Sequence, residues 1–293
     1  MAATVLNNYE EQEDIASQRL PLDDHIFAQI LQISSSSDFL SKECCLSDII
    51  ILSRYLGFRL SEYGQKSHSK IELHNFPDGR SIIKAITTQD LVFTGKDGTQ
   101  LTRFDPENIQ HVVRLTVTFR IQKNRRNGEK KHILPDSNNP EMCPVRAALR
   151  LVQRAQELEQ LQSNPCAVYQ NKGNMTYVTG KDMSSFLQNM ATMAYPGMPK
   201  SDIKRYTSHS LRVTAAVLLH EEGHDGDYIK IQLRWLGESY RVYLRSTLKV
   251  LQKHTNSLAK SAAVSIRLAN LSQNVSHSAT EIDPTDMGSY EEF

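Results

Sequence analysis

Hydrophobic spacing changes several times along the chain. Residues 24–34 (DHIFAQILQIS) and 39–56 (FLSKECCLSDIIILSRYL) place apolar side chains three and four positions apart, the period of a helix with one buried face. Gly57 ends the second run, as expected of a residue that adopts a left-handed cap without steric cost. The period then drops to two. LVFTGKDGTQLTRF predicts two strands around Asp97-Gly98, and HVVRLTVTFRIQ predicts a strand that runs to residue 122 and returns as KKHILP after Asn127-Gly128. After Pro144, VRAALRLVQRAQELEQLQ predicts a helix on which Arg146, Arg150 and Arg154, four apart, form one basic stripe. HSLRVTAAVLLHEEG predicts a helix opened by Ser208 and stopped by Gly223, and a last long helix is expected over about 244–270. These signals predict an α+β fold, mostly helical, with a small antiparallel sheet. They place one domain over 25–255, between an acidic segment 1–24 and a C-terminal helix with an acidic tail over 256–293.

The 293 residues hold 34 Lys and Arg against 33 Asp and Glu, and the near-zero total of +1 conceals a partition. Residues 1–26 carry six acids and one base, and residues 271–293 carry five acids and no base, so each end is −5. The remainder, 27–270, holds 33 bases and 22 acids, a net of +11, which suits a polyanionic partner. No stretch approaches the roughly 18 apolar residues of a membrane span, and the first residues lack the basic and apolar regions of a signal peptide. Cys44, Cys45, Cys143 and Cys166 show no CxxC spacing, which fits a reducing, intracellular compartment.

Three segments carry candidate chemistry. In LGFRLSE, Arg59 and Glu62 follow the helix break at Gly57. In RIQKNRRNGEKKH, Lys123 sits on the predicted strand, with Arg125, Arg126, Lys130 and Lys131 around the turn. From SHSLR to RWLGESYRVYLR, His209 and Arg212 are three apart on one helical face, followed by Trp235, Tyr240 and Tyr243.

In this order the segments resemble the tyrosine recombinase (phage integrase) family. Its signature is an Arg in a G-[hydrophobic]-R-x-S-E turn, a Lys in a β-hairpin, H-x-x-R on a helix, a His or Trp, and a Tyr. QKN…G, CPVRAAL and RW…YLR further resemble the branch carried by Crypton and DIRS-type mobile elements. The resemblance covers roughly residues 25–255. It implies a catalytic-domain fold whose hairpin carries the catalytic Lys123, and DNA strand cleavage and rejoining through a 3′-phosphotyrosine on Tyr243. Arg59 and Arg212 would grip the phosphodiester, Lys123 would protonate the leaving sugar oxygen, His209 would handle the nucleophile's proton, and Trp235 would donate its indole N–H. Glu62 would support the first Arg. Double-stranded DNA is the implied partner, contacted by Arg125, Arg126, Lys130, Lys131, Arg146, Arg150, Lys204 and Arg205. A homodimer or homotetramer on DNA is implied, with no cofactor and no metal, and a nuclear location if the source is eukaryotic. Members usually carry a helical DNA clamp before this domain, whereas only about 25 residues precede it here. A catalytically inert DNA-binding remnant and a type IB topoisomerase-like enzyme are the competing readings.

One further motif, His220-Glu221-Glu222-Gly223-His224, satisfies H-E-x-x-H. A zinc site needs a helix continuing through both histidines, and Gly223 with Asp225-Gly226-Asp227 predicts that this one stops first.

Overall fold

The computed structural model describes residues 18–101, 110–122 and 126–244, together with 252, 253 and 255–259. Helix α1 (Asp24–Ser36) opens with the Asp23 carboxylate accepting the Ile26 N–H, and α2 (Lys42–Leu56) with the Ser41 hydroxyl accepting that of Cys44. Gly57 closes α2 at φ 56, the expected left-handed cap, and α3 (Leu60–Tyr63) is a single turn. Strands β1 (Leu73–Asn75) and β2 (Ser81–Ile83) make a hairpin. Next come β3 (Leu91–Gly95), β4 (Val112–Phe119) and β5 (Glu129–Ile133), joined antiparallel in that order. Helix α4 (Pro144–Glu157) begins on proline, whose missing N–H costs nothing in a first turn. The hairpin β6 (Val168–Asn171) and β7 (Asn174–Tyr177) leads to α5 (Gly180–Ala194), capped by Thr179 and Asp182. The chain ends its described course through α6 (Lys200–Ile203), α7 (Ser210–Glu221), α8 (Gly226–Leu233) and α9 (Arg241–Leu244).

The elements confirm an α+β, mostly helical fold with small antiparallel sheets. Helix α2 forms its spine: apolar on almost every side, it packs against α1, α4 and α7. A large core surrounds it, and a second, smaller one joins Val213 and Val217 of α7 to Ile229 and Leu233 of α8, Tyr240 and Leu244. This smaller core fixes the segment that carries the candidate tyrosines. The chain divides into two compact units, Met1–Leu244 and Arg245–Phe293, and the described residues of the second are helical and exposed.

Several expectations shift. The arm after Asp97-Gly98 makes one bridge, Thr94 to Gln100, rather than a second strand before residues 102–109, which lie outside the described set. Strand β4 stops at Phe119, three residues short, where Gly128 returns its N–H to the Phe119 carbonyl. Helix α4 ends at Glu157, with Glu159 already left-handed at φ 53. Helix α7 starts at Ser210 rather than at Ser208, whose N–H donates to Ser184 Oγ. Most of the helix expected over 244–270 lies outside the described residues.

The stripe on α4 is not one solvated surface. Arg154 is fully buried, donating to Asp48 Oδ2 at 2.8 Å and the Phe39 carbonyl at 2.8 Å, and Arg150 donates to Asp48 Oδ1 at 2.6 Å. Asp48 sits mid-helix in α2, so the 3.6-residue period turns two of the three arginines inward, and Arg146 alone of the three is well exposed.

Candidate active site

The C-terminal end of α2 leaves backbone carbonyls without partners inside the helix, and two guanidinium groups use them. Arg212 Nη1 donates to the Gly57 carbonyl at 2.7 Å, and Arg234 Nη1 to that of Leu56 at 2.8 Å. The turn at Gly57 sets Arg59 and Glu62 one helical turn apart. There the buried Glu62 carboxylate accepts the Arg59 backbone N–H at 2.8 Å, Arg59 Nη1 at 2.9 Å and Arg234 Nη2 at 2.8 Å. Arg59 Nη2 and Arg212 Nη2 then converge on the Arg234 carbonyl, at 2.8 and 3.1 Å. Three guanidinium groups thus surround one carboxylate, leaving an excess of positive charge where burial makes charge costly. That burial, with Arg59 nearby, pulls the Arg212 pKa down to about 9, and it also lowers that of Arg234 despite Glu62. Arg212 remains protonated at neutral pH, and an arriving anion would be drawn into this field.

His209 caps α7 one turn before Arg212. Its Nε2 lies 3.2 Å from the hydroxyl of Tyr243, which the small core holds on α9. Burial first, then Arg212, Arg19 and Arg59, lower the His209 pKa to about 4, so the ring is neutral and able to accept a proton at physiological pH. The Trp235 ring lies 4.2 Å from the Arg212 guanidinium carbon, and its buried indole N–H has no hydrogen-bond partner among the described residues. Tyr240, by contrast, is packed away at 1% exposure under Gly226. Arg59, His209, Arg212 and Trp235 line an open cleft of ≈ 1090 Å³, together with Gln65, Lys66, His68 and Lys181.

Of the expected site residues, Arg59, Glu62, His209, Arg212, Trp235 and Tyr243 are therefore brought together. Lys123 and Arg125 lie outside the described residues. The base of their loop is nonetheless fixed beside the site: the Phe119 ring lies 3.5 Å from the Arg234 guanidinium carbon, and Gln122 donates to Glu129 and to the Arg126 carbonyl. Arg126, Lys130, Arg146 and Lys204 are exposed. Lys131 instead spans from Glu129 to the Ile231 carbonyl, Arg205 binds the Gln18 carbonyl and Asp202, and Arg150 binds Asp48. Sequence reasoning missed Arg234. It holds the left-handed cap of α8 at φ 59, where a glycine would have been the readable signal.

The second histidine of H-E-x-x-H falls beyond α7, which ends at Glu221 with Gly223 at φ 96, and the His224 ring stacks on Tyr228. Among the described residues no group of His, Cys, Asp and Glu is arranged to hold a metal ion. No described helix is long and apolar enough to cross a membrane.

The His209 environment makes a stability prediction. Its folded pKa of about 4 lies below the ordinary 6.5, so on acidification the unfolded chain takes the proton first. Stability should therefore fall as pH drops from 6.5 towards 4. Carboxylates titrate mainly below about 4.5, so melting temperatures between pH 7 and 5 report on the ten histidines, and comparison with a variant isolates His209. A His209→Gln variant should show a flatter dependence over that interval, and an unchanged slope would refute the assignment.

No protein-family model matches this sequence, and no curated protein matches it significantly. Solved structures do. The XerH site-specific recombinase, bound to a palindromic difH substrate in a post-cleavage complex, superposes with a TM-score of 0.50 at 13% identity, over 84% of this chain and 55% of its own. XerA recombinase and the Tn1549 transposon integrase in complex with transposon right end DNA also match, each at TM-score 0.43 and 13% identity, over 82% and 85% of this chain and 65% and 67% of theirs. The chain thus spans about half the length of the XerH recombinase, and its α+β body has the fold of a tyrosine recombinase catalytic domain.

Proposed function

We propose that this chain is the catalytic domain of a tyrosine-type site-specific DNA recombinase, breaking and rejoining DNA through a transient 3′-phosphotyrosine. The observation that carries the reading is the Tyr243 hydroxyl 3.2 Å from the neutral His209 Nε2, next to a histidine–arginine pair that opens onto a cationic cleft. Arg59 and Arg212 take the non-bridging oxygens of the scissile phosphate, with the unpartnered Trp235 N–H as a further donor. Tyr243 Oη attacks phosphorus and passes its proton to His209; the new P–Oη bond replaces the P–O5′ bond, and the departing 5′ oxygen takes a proton from Lys123. The covalent ester keeps the bond energy, so religation is the same step reversed. The anionic phosphate also offsets the Arg59 and Arg212 charges that depress His209, making the ring a better base once DNA is bound.

The basic excess of residues 27–270 suits the DNA backbone, with exposed Arg126, Lys130, Arg146 and Lys204 as contacts, and Arg125 with them from sequence. Assembly as a dimer or tetramer on DNA, origin in a mobile element and action without a metal belong to the same proposal. Incubation with nicked DNA half-sites, followed by denaturing electrophoresis, tests it. A protein–DNA band that survives denaturation and disappears on proteolysis is expected. DNA binding without any such band, across varied half-sites, would leave an inert DNA-binding protein.

A further inference from the structure

Arg234 touches every part of the cationic centre. Its carbonyl accepts both Arg59 and Arg212, its Nη2 holds Glu62, and its Nη1 holds the Leu56 carbonyl, one residue before the Gly57 carbonyl that holds Arg212. Yet it is fully buried, so it is not itself a group that a ligand in the cleft would meet. It also occupies a backbone region that costs a non-glycine residue on the order of 1 kcal/mol or more. Cap geometry alone would be met more cheaply by glycine, so the retained side chain needs a reason. The Phe119 ring against its guanidinium fixes the plane of the fork, and the fork spans two acceptors at once, which a lysine ammonium on a flexible stem does not reproduce.

We propose that Arg234 is a positioning residue that sets the two phosphate-gripping arginines. By occupying Glu62 Oε2 it limits that carboxylate to one side-chain bond with Arg59, at Oε1, while its carbonyl holds Arg59 Nη2, and the remaining Arg59 N–H donors are left for a phosphate. Without Arg234, the carboxylate would take Arg59 with both oxygens and draw it out of the cleft. This inference rests on the reading of Arg59 and Arg212 as a phosphate site.

The chain contains one tryptophan, Trp235, lying against Arg212, so its intrinsic fluorescence reports on this centre alone. Titration with orthovanadate, a phosphate-like anion, measures the site without requiring turnover. The wild-type emission should respond, and Arg212→Ala should abolish the response. In Arg234→Gly and Arg234→Lys, affinity per folded molecule should fall by about tenfold or more, the scale of one lost charge-assisted interaction. Adding Glu62→Gln to the glycine variant should restore much of it, because a neutral amide no longer draws Arg59 away; a purely structural role predicts no such rescue. Wild-type affinity in both Arg234 variants would overturn the inference while sparing the phosphate site. Unfolding of both variants at the assay temperature would also overturn it, making Arg234 a stability residue only. No response in the wild-type protein would remove the phosphate site itself and the inference with it.

Discussion

Tyr243→Phe is expected to abolish the covalent protein–DNA complex entirely while leaving DNA binding in place. The substitution deletes one oxygen, the atom 3.2 Å from His209 Nε2, and with it the only bond to phosphorus that the proposed reaction makes. The part-buried hydrogen bond to His209 that it removes is worth about 0.5–1.5 kcal/mol, so the protein stays folded. Tyr240→Phe is the informative partner. Tyr240 lies in the small core at 1% exposure, where its hydroxyl occupies the space a Cβ on Gly226 would need. That variant should keep adduct formation. Nicked half-sites and denaturing gels read both variants, and loss of the adduct in Tyr240→Phe alone would transfer the nucleophile to Tyr240.

The largest effect on stability is expected at Asp48, well away from the cleft. Asp48→Ala strands Arg154, which is fully buried and is left with the Phe39 carbonyl, the face of the Phe39 ring and the Cys45 thiol. Removing one partner of a buried ion pair costs roughly 3–5 kcal/mol, which for a domain of this size lowers the melting temperature by roughly 6–20 °C. Asp48→Asn keeps an acceptor and should lose less. Arg150→Ala, taken from the same carboxylate but a third exposed, should lose at most about 1 kcal/mol. Thermal melts followed by circular dichroism decide the order. A loss below about 1 kcal/mol in Asp48→Ala would mean that Arg154 finds other compensation.

These two cases also mark what was legible in the sequence. Arg59, Glu62, His209 and Arg212 sit in local patterns that fix their faces: a glycine break followed by one turn, and a three-residue helical spacing. Trp235 and Tyr243 followed from order and context, and the structure sets both against that pair. Asp48 was not legible, because a single acid in IIIL-rich sequence carries no trace of its partner a hundred residues away. The arginine stripe misled for the same reason: spacing says that residues share a face, not whether the face meets water. Arg234 stayed hidden because its left-handed backbone is imposed by its contacts rather than by a glycine. Other elements carry plain local signals. Pro77-Asp78-Gly79 turns the β1–β2 hairpin, Lys172-Gly173 turns β6 into β7, and Thr179 with Asp182 opens α5.

The bonds of the cationic centre join parts of the chain that are remote in sequence. Arg59 reaches Arg234 across 175 positions, and Arg212 reaches Gly57 across 155. Loop closure on that scale must come before any of these bonds can form, so they belong to late folding rather than to a local nucleus. During synthesis, a ribosome-bound chain holds Arg59 long before the Arg234 carbonyl and the Tyr243 hydroxyl that complete the pocket. A prematurely terminated product, or one clipped between α4 and α8, therefore lacks the assembled pocket. In the proposed reaction, strand cleavage would therefore need the whole of this fold, and a chain ending before α8 would lack both the Arg234 carbonyl and Tyr243.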